Sequence, residues 1–154
     1  RGKLVSIATE EERTLYFDFL PLSLGSVKGM KTRFHLYTVP GQSHYNASRR
    51  LVLQGVDGVV FVVDSQICRL DENVESYLNL WDNIRSQGDE LNRLATVLQL
   101  NKRDLPEIFS PQDLSDLLNH TNAPVLESSA LTGMGVFETL KTICKQVIAR
   151  TAAV

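Results

Sequence analysis

Residues 95–104 read ATVLQLNKRD, and the reading of this stretch decides the fold. Ala95 to Leu100 is apolar on nearly every position, the pattern of a strand buried on both faces rather than one with a wet side. A polar turn, Asn101-Lys102-Arg103-Asp104, follows at its carboxyl end. Gly58 to Val63 (GVVFVV) is a second strand of the same kind, and Pro124 to Glu127 (PVLE) is a short third. Helical patterns separate them. From near Asp71 a helix of about 20 residues is expected, with Val74, Tyr77, Leu78, Trp81 and Ile84 on one face. Ser110-Pro111-Gln112-Asp113 is a helix start, a hydroxyl cap with proline in the first turn and an acid three residues on; that helix ends near His120. Phe137, Leu140, Ile143, Cys144, Val147 and Ile148 form the stripe of a C-terminal helix. Strands and helices alternate after residue 57. This predicts an α/β fold with right-handed crossovers, a mostly parallel sheet and helices on both faces.

The front of the chain reads differently. Thr14 to Leu20 (TLYFDFL) and Lys31 to Val39 (KTRFHLYTV) roughly alternate and are rich in aromatic and β-branched residues. They predict antiparallel strands joined through the ten residues that hold Pro21, Gly25 and Gly29. Within that region, residues 25–32 read GSVKGMKT, close to the phosphate-gripping GxxxxGK[ST]. Met30 separates the last glycine from Lys31, and a strand follows where a phosphate loop needs a helix. The stretch is therefore read as a turn. Gly41 to Arg50 is polar.

Composition sets outer limits. The chain has 154 residues, 43% apolar and 22% charged, which suits one domain over residues 1–154. A net charge of −2 argues against a nucleic-acid surface. No apolar run approaches the ~18 residues that span a bilayer. Cys68 and Cys144 lack a CxxC partner and read as buried thiols of a reducing, cytoplasmic protein.

In an open α/β sheet, ligands bind at the carboxyl edge of the strands, where NKRD stands. Its chemistry suits guanine. The Asp104 carboxylate can accept from both the ring N–H and the exocyclic amine, whereas adenine would leave it unpaired. The Lys102 stem can cover the base with its head in water, and Asn101 can tie the turn to a neighbour. A solvated polar loop is the plain alternative. Glu127-Ser128-Ser129-Ala130 follows the next strand at the same edge. Its small residues let the backbone approach a base, with the Ala130 N–H toward the guanine oxygen.

The order TVPGQ, NKRD, ESSA resembles the Ras-like small GTPases. RTLYFDFLPL, KTRFHLYTVPGQ and YNASRRLVLQGVDGVVFVVDS resemble the MglA-type bacterial members, which set cell polarity in gliding and twitching motility. The resemblance covers almost the whole chain. It implies a Ras-like P-loop GTPase fold and a switch that binds GTP or GDP with Mg²⁺ and hydrolyses GTP. Asn101, Lys102, Asp104, Ser128, Ser129 and Ala130 would hold the base. Gly41 would offer its N–H to the terminal phosphate, Gln42 would orient the attacking water, and Thr14 would reach Mg²⁺. Arg13 would act as an arginine finger from within the chain; the bland reading is a surface arginine beside Glu10 to Glu12. Thr38 stands where most relatives of this kind have aspartate, and Asp18 is expected to take part of its work at the metal. A Roadblock-type GTPase-activating partner, motility or polarity effectors on residues 13–39 and 42–53, and recruitment to a cell pole are implied as well. The family opens with a strand, a GxxxxGK[ST] loop and a first helix, about 40 residues that do not precede Arg1 here. The expectation is an N-terminally truncated domain, inactive as it stands. The alternative is a pseudo-GTPase or fragment that serves as an interaction module without binding nucleotide.

Overall fold

The computed structural model describes residues 5–6, 18–27, 30–39 and 46–151. The chain divides into two compact units, Arg1–Gln54 and Gly55–Val154.

In the first unit, β1 (Val5–Ser6), β2 (Asp18–Val27) and β3 (Met30–Tyr37) form an antiparallel sheet in that order. The register runs from Phe19 opposite Tyr37 to Val27 opposite Met30, with an irregularity between Ser23 and Ser26. The expected hairpin is present, but its turn is not ten residues long. Strand pairing continues through Pro21, and only residues 28 and 29, which lie outside the described residues, connect the strands. Pro21 is tolerated mid-strand for a local reason. Among the described residues β1 pairs with Asp18 and Phe19 alone, so at Pro21 the strand has one described partner, β3. A short helix, α1 (Asn46–Val52), occupies part of the stretch that reads only as polar. It has no acidic residue in its first turn and Arg49 and Arg50 in its last.

In the second unit, β4 (Gly58–Asp64), β5 (Ala95–Asn101) and β6 (Val125–Glu127) form a parallel sheet in the order β4-β5-β6. The helices are α2 (Leu70–Arg85), α3 (Pro111–Leu118) and α4 (Val136–Thr151). β5 is the central strand, and every residue from Ala95 to Leu100 is buried, as its composition predicts. Each of its larger aliphatic side chains adds about 1.5–3 kcal/mol by leaving water. β4 corrects the expectation of burial on both faces: Phe61 and Val63 are buried, but Val62 is 51% exposed. Among the described residues β4 is at an edge of this sheet, with one strand neighbour, β5.

α3 starts as predicted. The Ser110 hydroxyl accepts the Asp113 N–H at 3.1 Å, and Pro111 sits in the first turn. α2 is rotated relative to the predicted face. Asn73, Tyr77, Leu80, Asn83 and Ile84 are buried, whereas Val74 and Leu78 are exposed. The cause is Asn73. Its Oδ1 accepts the Asp64 N–H at 3.1 Å and its Nδ2 donates to the Asp64 carbonyl at 2.8 Å. The next residue, Ser65, bonds toward β5, so those two Asp64 groups point the other way, where β4 has no strand partner among the described residues. A buried amide that satisfies both outweighs exposure of a leucine, because an orphaned backbone group costs about 1–3 kcal/mol. Phe61, Tyr77 and Trp81 then pack edge to face across the strand–helix contact.

α4 buries Thr139, Ile143 and Cys144 but leaves Phe137, at the start of the predicted stripe, 69% exposed. The thiols also divide. Cys144 is buried as expected, and burial raises its pKa, whereas Cys68 is exposed. Alkylation near neutral pH should therefore label one thiol in the native protein and a second only in denaturant. Two equivalents taken up at the same rate would contradict this packing.

Candidate functional site

Two turns at the carboxyl rim of the parallel sheet are held together by direct hydrogen bonds. β5 ends at Asn101, whose Oδ1 accepts the Ala130 N–H at 2.9 Å and the Ser128 hydroxyl at 3.3 Å. The Ser128 N–H continues the sheet to the Leu100 carbonyl at 2.7 Å. Asn101 therefore ties the NKRD turn to the ESSA turn, the role its side chain suggests. In this structure the Ala130 N–H is occupied by Asn101, so it reaches a ligand oxygen only by sharing or exchanging that bond.

Both serines are buried and serve the turn itself. Ser128 donates to Leu100 and Asn101, and the Ser129 hydroxyl accepts the Thr132 N–H at 3.3 Å. Beyond them, Gly135 is at φ 69°, and a Cβ placed there would stand 1.9 Å from the Glu127 carbonyl oxygen. Only glycine lets α4 begin this close to β6. Gly135→Ala is expected to cost about 2–5 kcal/mol, combining steric overlap with a left-handed backbone. Gly133→Ala is the control, since Gly133 is at φ 83° with open space around its Cβ position. It should cost only about 1–2 kcal/mol. Urea midpoints of the two variants measure the difference, and equal midpoints would show that the 1.9 Å approach is not maintained.

Lys102 stands at φ 64°, which costs a residue with a Cβ about 1–2 kcal/mol. Its surroundings hold it there. Its ammonium lies 2.6 Å from Asp64 Oδ2 and 3.3 Å from Gln66 Oε1. The other Asp64 oxygen accepts the Gln66 N–H at 3.1 Å. The lysine head is thus paired with the end of β4 and not simply solvated. Asp104 is exposed, and among the described residues its carboxylate has no partner. An exposed carboxylate with four lone-pair sites suits a ligand edge carrying two adjacent N–H donors.

Arg103, between these two, is the residue that sequence reasoning passed over, because it fills the variable position of NKxD. Its Nε lies 2.8 Å from Glu127 Oε2, its Nη1 donates to the Phe109 carbonyl at 2.7 Å, and its backbone N–H donates to Ser128 O at 3.0 Å. Asp64 and Gln66 were missed too; their signal was a position at the carboxyl end of a buried strand.

The remaining predicted residues belong to the first unit. Arg13, Thr14, Gly41 and Gln42 lie outside the described residues. Asp18 opens β2, and the register places its backbone at the same end of the hairpin as Thr38.

A parallel sheet with two linked turns at its carboxyl rim is the architecture in which α/β domains bind ligands. The family description "ADP-ribosylation factor family" matches residues 15–147. The chain is 57% identical over 148 residues to the "Mutual gliding-motility protein MglA" of Myxococcus xanthus (strain DK1622), an alignment covering 96% of this chain and 76% of that protein. It is 25% identical over 135 residues to the "Ras-related protein Rab-5B" of Plasmodium falciparum (isolate 3D7), covering 86% of this chain and 61% of the relative. It is 26% identical over 146 residues to "Elongation factor 4" of Sorangium cellulosum (strain So ce56), covering 93% of this chain and 23% of the relative. The chain belongs to the Ras-like small GTPases and, within them, to the MglA type. Guanine nucleotide is the ligand this family implies. Among the described residues no helix is long and apolar enough to cross a membrane.

Proposed function

We propose that this chain is a guanine-nucleotide-dependent switch that hydrolyses GTP to GDP and controls cell polarity and gliding motility in bacteria. The observation that carries the reading is the 2.9 Å bond from the Ala130 N–H to Asn101, which puts the NKRD and ESSA turns on one rim. Asp104 accepts the two N–H groups of the guanine edge, the Lys102 stem covers the base, and Asn101 with Ser128, Ser129 and Ala130 holds the second turn against it.

At the phosphate end, Gly41 donates its N–H to the terminal phosphate and Gln42 orients the water for in-line attack. Arg13 supplies fixed positive charge where charge builds on the phosphate oxygens. Thr14 and Asp18 offer hydroxyl and carboxylate oxygens, a donor set that suits Mg²⁺. Mg²⁺ would neutralise phosphate charge. The placement of Asp18 at the open end of the β2–β3 hairpin, four residues after Thr14, supports their joint assignment. The family's regulators and effectors would include a Roadblock-type GTPase-activating protein and polarity or motility effectors. Their docking surface would be residues 13–39 and 42–53, with recruitment to a cell pole in one nucleotide state.

Displacement of a fluorescent guanine nucleotide tests the reading. GDP and GTP should compete at least about 100-fold better than ADP and ATP, because an adenine edge leaves Asp104 unpaired. Equal competition by adenine nucleotides would overturn the assignment. No displaceable binding at all would leave the interaction-module alternative in its place.

A further inference from the structure

We propose that Arg103 is a positioning residue for base recognition, one that sets where Asp104 stands by locking three segments of the rim together. The inference rests on the guanine-nucleotide reading above and adds a specificity-determining residue to it.

Arg103 lies between Lys102, which is half exposed, and Asp104, which is exposed, yet its own side chain is only 11% exposed. Its guanidinium serves two acceptors on different segments. Nε reaches Glu127 Oε2, at the end of β6, and Nη1 reaches the Phe109 carbonyl, just before the Ser110 cap of α3. The backbone N–H of the same residue meets the Ser128 carbonyl, and Leu105 N–H returns to the Lys102 carbonyl at 3.1 Å. The residue preceding Asp104 is therefore fixed at main chain and side chain alike. Asp104 itself has no partner among the described residues, so its position is inherited from these bonds.

The geometry calls for arginine. A planar guanidinium presents donors in fixed, diverging directions and can hold a carboxylate on one side and a carbonyl on another. A lysine ammonium at this position is a point charge and cannot span both. The left-handed Lys102 just before it makes the turn dependent on such anchoring, since a strained backbone persists only where its surroundings over-determine it.

A purely structural staple and a positioning residue differ in what they do to selectivity. GDP offers Asp104 both the ring N–H and the exocyclic amine, whereas IDP lacks the amine. The ratio of GDP to IDP affinity therefore reports whether the carboxylate is placed to take both bonds, and general loosening of the protein weakens both nucleotides alike. The experiment measures GDP, IDP and ADP competition against a labelled guanine nucleotide, together with thermal unfolding of the nucleotide-free protein. Arg103→Ala is expected to lower the GDP-to-IDP ratio about tenfold, as misplacing a charged acceptor would. Arg103→Lys should lose most of the ratio too. Glu127→Gln, which keeps an acceptor for Nε, should retain most of it. If Arg103→Ala does not fold, Arg103→Lys and Glu127→Ala carry the same comparison. An unchanged ratio in a folded variant, or an equal loss for GDP and IDP, overturns the inference while leaving the guanine reading intact. A wild-type protein that binds ADP as well as GDP overturns both.

Discussion

Asp104→Asn should convert a guanine-selective rim into one that prefers xanthine. The guanine edge presents two adjacent donors, and a carboxylate accepts both. An asparagine amide has one oxygen and one NH₂, so its NH₂ would face the exocyclic amine donor to donor. Xanthine carries a carbonyl there, which the new NH₂ can satisfy. One hydrogen bond to a charged group, worth about 1.5–3 kcal/mol, is lost and a donor is left unpaired at about 1–3 kcal/mol more, so affinity for GDP should fall by about 10²- to 10⁴-fold. Competition by XDP should improve as that by GDP falls. The absence of any described partner for Asp104 makes this a clean test, because the substitution breaks no internal bond among the described residues. Retained preference for GDP would remove Asp104 from the site.

Arg13→Ala should act on the other end of the nucleotide and on a different quantity. A guanidinium that meets the phosphate oxygens only as charge accumulates stabilises the transition state and not the bound substrate. Its loss lowers kcat with little change in nucleotide affinity. An arginine finger is worth about 10³- to 10⁵-fold in turnover. Single-turnover hydrolysis beside GTP and GDP affinities separates the two quantities. Normal turnover in the variant would return Arg13 to the surface role suggested by the acidic residues beside it.

Much of the second unit was legible in sequence because strong local signals agreed there. Ala95 to Leu100 is apolar apart from Thr96 and Gln99, and it is the central strand of its sheet. Ser110 and Pro111 announce α3, and the cap is formed as written. Periodicity failed on α2 because it treats asparagine as outward. Asn73 faces inward to complete the backbone of Asp64, a tertiary demand with no trace in a hydrophobic pattern. Pro21 reads as part of the connection because a proline forfeits a ladder bond, yet the described strand pairs through it opposite His35. At the rim, the tie that Asn101 makes to the second turn was legible in its sequence position. The rim was not legible at Arg103, Asp64 and Gln66, whose side-chain contacts between rim segments join residues 24 to 38 positions apart.

The contact between Lys102 and Asp64 changes when disorder is surrendered. A free lysine side chain carries about 2 kcal/mol of rotamer entropy. Here its ammonium is already tethered 2.6 Å from a carboxylate at the end of a strand. That freedom is given up as the chain folds and not when a purine arrives. Under the proposed function, the lysine stem that covers the base would be preorganised, and less of the contact energy would be consumed in arranging it.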